Sequence, residues 1–322
     1  MAEWLDVCMR FTYYYGADLR RTALPSSVEG KFVVSLCRVT ANRVRQFVVP
    51  RTCGLMPQNF MIFEPDRAQM QRWAARQLAD LDALQPGSIF ASGVMLDVTQ
   101  AYELQSAVAE LRRSRGEQII GYKVGCTSPK VRAQLGIDHC VTGRLYDLEQ
   151  YASGAVLSRS KYANLAIEGE LGVELSRAPT AEDFVKTGVP ACVARIFPVV
   201  ELHHHVLRGK RASVGELIAH NAIHAGFVAG SGVRSDEAFG EPSLSIHADG
   251  RVLEECAGPE LIHTIHSSLH WLTKTLAERG EQLTGGQSVL TGSIPLLIPL
   301  REDCRIRVEA PPFGSVEVQF TA

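Results

Sequence analysis

From Asp66 to the C-terminus the apolar positions follow two different periods, and the order of those periods predicts the elements. Trp73, Ala74, Leu78 and Leu81 recur at spacings of one, three and four, the signature of a helix face, with a start near Asp66. A second helix follows Asp97 as N-cap, carries Tyr102, Leu104, Val108 and Leu111, and stops at Gly116. Strand-like runs then occupy 118–124, 163–175, 191–202, 244–254, 288–292, 305–309 and 316–320, the fourth folded on itself at Asp249-Gly250. Two further helices interrupt them. One opens with a capping box from Ser213 to Glu216 and runs to near Gly230; the other opens at Pro259 and closes at Gly280. Strands outnumber helices after residue 117 and do not alternate with them, so the sequence predicts a mixed or antiparallel α+β sheet domain.

The first 60 or so residues break this organisation. A Tyr13-Tyr14-Tyr15 run and Arg20, Arg21, Arg38, Arg43, Arg45 and Arg51 sit in a stretch with no sustained period. Residues 1–62 are therefore read as an N-terminal appendage, poorly ordered or not native, and 63–322 as a single domain. Asp6, Arg10 and Asp18 interrupt any apolar signal core, and Glu3 with the two aspartates argues against a transit peptide. Across 322 residues, 46% hydrophobic and 21% charged side chains make an ordinary globular composition, and a net charge of −2 supplies no general pull towards nucleic acid or an anionic membrane. No run approaches the roughly 18 apolar residues of a membrane span. The eight cysteines contain no C-x-x-C pair. The expected location is the cytoplasm, with reduced thiols.

The segment from Leu165 to Leu175 carries the most chemistry. On a strand, Glu168 and Glu170 project from one face, and Gly169 between them leaves the other face bare. Like charges held that close raise each other's pKa unless a cation neutralises them, so the pair is either a solvated strand face or part of a metal site. Glu201 ends the apolar run from Ile196, where a solitary carboxylate is costly without a partner. Three carboxylates converging from two strands make an all-oxygen site suited to Mg2+ or Mn2+. Glu174 shares the parity of the first two and is placed at the rim.

Lys123 lies within the apolar, glycine-flanked run from Ile119 to Cys126. Burial there would lower its pKa towards that of a general acid or base, while a nearby anionic substrate would keep it protonated; a snorkelling edge-strand lysine fits the segment equally well. Thr291-Gly292-Ser293 follows a strand and offers backbone N–H groups and two hydroxyls to a carboxylate, although such triplets are common in ordinary turns. His263, His266 and His270 lie opposite the apolar stripe Leu261, Ile265, Leu269, Leu272 and Leu276, so solvent exposure is expected for them. His203 and His205 share the face of Glu201 by alternation, which lets them join or border a metal site and keeps a softer ion such as Zn2+ or Fe2+ in view.

Taken together, Gly121-Tyr-Lys-Val-Gly125, Ile167-Glu-Gly-Glu170, Val199-Val-Glu201, the Asn221 region, Trp271-Leu272, the run from Gly286 to Ser293 and the run from Gly314 to Phe320 resemble the 2-keto-4-pentenoate hydratase and 4-oxalocrotonate decarboxylase family of the fumarylacetoacetate hydrolase superfamily. The resemblance implies a mixed β-sandwich or β-roll core with flanking helices. It implies Mg2+ or Mn2+ held by Glu168, Glu170 and Glu201, with Lys123 as the active-site lysine and Asn221, Thr291, Gly292 and Ser293 in the substrate pocket. It also implies a small 2-oxo acid substrate, a role in aromatic-compound catabolism, a homo-oligomer, and a complex with a homologous decarboxylase or hydratase as a further form of assembly.

The chain departs from the family pattern at two places. His220-Asn221-Ala222-Ile223-His224 stands where the family carries Asp-Asn and small hydroxyl residues, and His203-His204-His205 stands in place of a Ser-Arg-type stretch. Three readings follow in order: a hydratase of 2-hydroxydienoates, a decarboxylase or C–C bond hydrolase on the same metal site, and a non-catalytic ligand-binding or partner subunit.

Overall fold

An eleven-residue strand that is apolar at every odd position and acidic at three even ones fixes the centre of the molecule. The computed structural model describes residues 65–209, 213–235 and 240–322. Pro65–Ala322 form one compact unit; the appendage read over 1–62 lies outside the described residues.

The strands are β1 (Ile119–Gly125), β2 (Val141–Tyr146), β3 (Gln150–Ala152), β4 (Ala155–Ser158), β5 (Leu165–Leu175), β6 (Val193–His204) and β7 (His224–Ala229). They continue as β8 (Val233–Arg234), β9 (Ser243–Ala248), β10 (Arg251–Ala257), β11 (Ser288–Leu290), β12 (Ile298–Pro299), β13 (Cys304–Glu309) and β14 (Ser315–Thr321). The larger sheet has the order β2-β1-β11-β5-β6-β7-β3, with β12 on β5 and β8 on β6; the smaller runs β10-β9-β13-β14-β4. Both are mixed, because β1 pairs β11, β3 pairs β7 and β14 pairs β4 in parallel while the other pairs are antiparallel. This is the mixed α+β arrangement expected from the order of periods.

The odd positions of β5 face the smaller sheet. Ile167, Leu171, Val173 and Leu175 share a core with Ile246, Ile306, Val308 and Phe320. Gly169 is the point of closest approach: a Cβ there would lie 2.7 Å from Ile246 and 3.1 Å from Val308. The face expected to be bare is therefore packed, and glycine is what lets the second sheet reach it.

The helices are α1 (Arg67–Asp82), α2 (Ser88–Ala91), α3 (Val98–Ser114), α4 (Pro129–Leu135), α5 (Val214–Ala219) and α6 (Glu260–Glu278). Asp66 caps α1 by accepting from the Gln69 N–H at 2.7 Å, and Asp97 with Gln100 closes a capping box on α3. Along α6, Leu261, Ile265, Leu269, Leu272 and Leu276 are all buried, each contributing about 2 kcal/mol of transfer free energy. His263 and His270 on the opposite side are exposed, as expected, whereas His266 is half-buried. A second apolar cluster joins α1, α2, α3 and α5 to Val141. Gln105 locks it in place by donating to Thr142 O at 2.9 Å and Ile218 O at 2.8 Å.

The helix expected from Ser213 to near Gly230 is a correction. It ends at Ala219, and Asn221, Ala222 and Ile223 follow with φ of 57°, 52° and 56°. Three successive non-glycine residues in the left-handed region form a turn that reverses the chain into β7.

Candidate metal and acid-base site

Backbone pairing places the carboxylates. β5 and β6 are antiparallel, with Glu168 directly opposite Glu201 and Glu170 opposite Val199. All three carboxylates therefore lie on the face of the sheet away from the smaller one. Glu170 and Glu201 are 2% and 1% exposed, while the Glu168 side chain, at 22%, is the one that reaches towards solvent.

Lys123 comes from β1 and is itself buried, with Nζ 3.3 Å from Glu201 Oε1 and 3.4 Å from Ala222 O. The left-handed turn is what brings that carbonyl to the lysine. Asn221 anchors the turn: its Oδ1 accepts from Arg144 N–H at 2.6 Å and its amide donates to Arg144 O at 2.8 Å. The opposing position on β2 is Gly143, where a Cβ would overlap the Asn221 carbonyl. Both ends of the Asn221 amide are thus engaged by main chain.

The turn after β11 closes another side. The Gly292 N–H donates to Glu170 Oε2, Thr291 Oγ1 donates to Leu171 O at 2.7 Å, and the single Ser293 hydroxyl proton is shared between Pro295 O at 2.8 Å and Gly169 O at 3.1 Å. The N–H group expected to receive a carboxylate does so from the protein itself. Glu174 stands apart from this group and pairs with Arg195 at 2.8 Å.

Two histidines complete the surroundings. His203 and His224 are cross-strand partners on β6 and β7, and both are buried. His203 Nε2 is 3.2 Å from Glu168 Oε2 and 3.6 Å from Glu201 Oε2, yet neither of its ring nitrogens has a hydrogen-bond partner. His224 Nδ1 lies 2.7 Å from Glu201 Oε1 and donates to it when that carboxylate is ionised. Ligand atoms of Glu168, Glu201 and His203 all lie within 4.8 Å of one another. Alternation places His203 beside Glu201, whereas His224 is marked in the sequence only by the departure at 220–224 from the family pattern, because the turn that delivers it contains no glycine.

Charge explains the titration of the group. Burial, then the charges of Glu201 and Glu168, push Glu170 well above the ordinary carboxylate range, against the opposing pull of Lys123. Burial would raise Glu201 too, but Lys123, His203 and His224 outweigh it and hold Glu201 below the usual value. For Lys123 burial acts to lower the pKa, and Glu201, Glu168 and Glu170 reverse it into a rise. The lowering expected from the apolar sequence context is thus overridden by three carboxylates folded onto the lysine.

The donor set fits a divalent cation. With all three carboxylates ionised against one ammonium the cluster carries two negative charges in a region of low dielectric, which one divalent cation would neutralise while drawing the proton off Glu170. Glu170 Oε1 is buried without a hydrogen-bond partner, as are both nitrogens of His203. Buried polar atoms left unpaired are costly, and one metal ion would satisfy Glu170 Oε1 together with one of the two His203 nitrogens.

No family model matches the chain. A 2-keto-4-pentenoate hydratase of Burkholderia vietnamiensis is 27% identical over 227 residues, spanning 70% of this chain and 87% of that protein. A 4-oxalocrotonate decarboxylase of Pseudomonas putida is 29% identical over 223 residues, 68% of this chain and 84% of its own length. Among solved structures, the 4-oxalocrotonate decarboxylase of Pseudomonas putida G7, complexed with magnesium and adipate, superimposes with a TM-score of 0.70 at 25% identity, covering 80% of this chain and 99% of that one.

Proposed function

The chain belongs to the 2-keto-4-pentenoate hydratase and 4-oxalocrotonate decarboxylase family, within the fumarylacetoacetate hydrolase superfamily, and from that premise we propose that it is a divalent-metal-dependent hydro-lyase acting on a small 2-oxo acid or its 2-hydroxydienoate enol. The observation that carries the reading is the burial of Lys123 against three converging carboxylates. Glu168, Glu170 and Glu201 would hold the ion, Mg2+ or Mn2+. Such an ion supplies Lewis-acid stabilisation of negative charge developing on a substrate oxygen.

The protein's own groups do the rest. Lys123 Nζ is the proton carrier, since among the described residues it is the ammonium placed among the carboxylates, and its side chain is held by Glu201 and the Ala222 carbonyl. Asn221 is a positioning residue in this reading, because it fixes the turn that presents that carbonyl. Gly292 orients Glu170 through its N–H, and the Thr291 and Ser293 hydroxyls, with their protons committed to main-chain carbonyls, keep lone pairs for a substrate donor. Surrounding β-strands exclude bulk water and so strengthen each of these interactions.

The relatives include both hydratases and decarboxylases at similar identity, and the same enolate chemistry serves either, so 4-oxalocrotonate decarboxylation is the second reading. Catalysis resides in one domain, residues 63–322, of a cytoplasmic enzyme of aromatic-compound catabolism that forms a homo-oligomer or pairs with a homologous partner. Among the described residues no helix is long and apolar enough to cross a membrane.

The test is ultraviolet loss of 2-hydroxypenta-2,4-dienoate and of 4-oxalocrotonate, with Mg2+, Mn2+ or chelator. Metal-dependent consumption of the dienoate without CO2 release is the result expected. Consumption of 4-oxalocrotonate with CO2 release would select the second reading, and no turnover of either would remove both.

A further inference from the structure

We propose that His203 is a protein ligand of the metal, so that this chain has a mixed carboxylate and imidazole centre selecting Mn2+ and later transition ions over Mg2+. The inference rests on the metal site proposed above and assigns that site one further ligand and a preference.

The geometry of His203 has no other evident use. Its ring is 1% exposed, it is packed between Glu168 and Glu201 at 3.2 and 3.6 Å, and it forms a hydrogen bond to neither. A buried imidazole with both nitrogens unpaired forfeits the hydrogen bonds that water would give it. The adjoining histidines are accounted for differently. His204 Nδ1 accepts from the Ala163 N–H at 3.0 Å, and His224 Nδ1 is engaged by Glu201 at 2.7 Å. Among the described residues, His203 alone places a ring nitrogen within 4.8 Å of ligand oxygens from both Glu168 and Glu201.

Position and chemistry agree. His203 lies two residues beyond Glu201 on β6, so strand alternation carries it to the same face. Imidazole nitrogen is a softer donor than carboxylate oxygen. Mg2+ gains little from it, whereas affinity for such a donor rises from Mn2+ through Fe2+ and Co2+. His224 then acts through Glu201, fixing the orientation of a ligating carboxylate in the way that hydrogen bonds behind metal ligands do.

The experiment uses the full chain loaded with Mn2+ and reads electron spin echo envelope modulation, together with calorimetric affinities for Mn2+ and Mg2+. Modulation from a directly bound 14N nucleus is expected in the wild type and absent in His203→Gln, which keeps a buried polar side chain. The Mn2+ to Mg2+ affinity ratio should fall about tenfold in that variant; His203→Ser serves if His203→Gln does not fold. Mn2+ bound in the wild type without nitrogen modulation overturns the proposal and leaves the carboxylate site standing. Modulation that survives His203→Gln also overturns it, by assigning the nitrogen elsewhere. Failure of the wild type to bind Mn2+ or Mg2+ at all sinks the underlying metal site.

Discussion

Glu168 of β5 and Glu201 of β6 are direct cross-strand partners, so backbone hydrogen bonds hold two carboxylates side by side. Like charges directly opposite destabilise a sheet by up to about 1 kcal/mol. Glu168→Gln should therefore raise the metal-free melting temperature slightly. In wild type, Mn2+ at 1,000 times its Kd should add about 4 kcal/mol, and the variant should lose most of that gain. Thermal melts with and without Mn2+ read both effects.

Lys123→Met separates acid-base work from metal binding. Turnover should fall by about 10^2 to 10^4. Affinity for Mn2+ should be unchanged or higher, because the ammonium that competes for Glu201 is gone. A variant that loses turnover only in proportion to lost metal would show that Lys123 is structural.

His220 should make the protein acid-labile. Burial, with His204 and Arg208 adding and Asp80 opposing, lowers its pKa to about 4. A depressed folded pKa means that the unfolded chain binds the proton first. The stabilisation is complete above the unfolded value of about 6.5 and is lost as pH falls towards 4, at most about 3 kcal/mol. His220→Gln should flatten that part of the stability curve, as measured by urea unfolding between pH 7 and 4.

Ala222 carries a φ of 52°. Ala222→Gly should be neutral or stabilising by about 1 kcal/mol, since a left-handed alanine costs that much. Ala74→Gly, at a buried site within α1, should instead cost about 1 kcal/mol. The contrast in chemical denaturation midpoints is the check.

Gly169→Ala should destabilise by about 1–3 kcal/mol, because its Cβ would enter the space of Ile246 and Val308. It should weaken metal binding as well, since Glu168 and Glu170 flank the displaced backbone.

The long, strongly patterned elements were legible in the chain itself. β5 and α6 have clear periods and β6 is a long apolar run, and strand alternation puts Glu168, Glu170, Glu201 and His203 on one face. β7 is hidden for two physical reasons: its run Ala225 to Val228 is buried on both faces and so does not alternate, and the turn before it uses Asn221, Ala222 and Ile223 where a glycine would have marked the break. β2 is hidden for a different reason: all six of its residues are buried, but Thr142, Gly143 and Arg144 among them leave neither an apolar run nor an alternation to read. The direction of the Lys123 pKa is open in the sequence, because local sequence shows the apolar neighbours and not the carboxylates that arrive from β5 and β6.

The most direct measurement is anomalous diffraction from crystals grown with Mn2+. One peak bounded by the carboxylates of Glu168, Glu170 and Glu201 is the expected result; a fully occupied ion elsewhere, with those three side chains unliganded, would contradict the metal site on which the proposed chemistry depends.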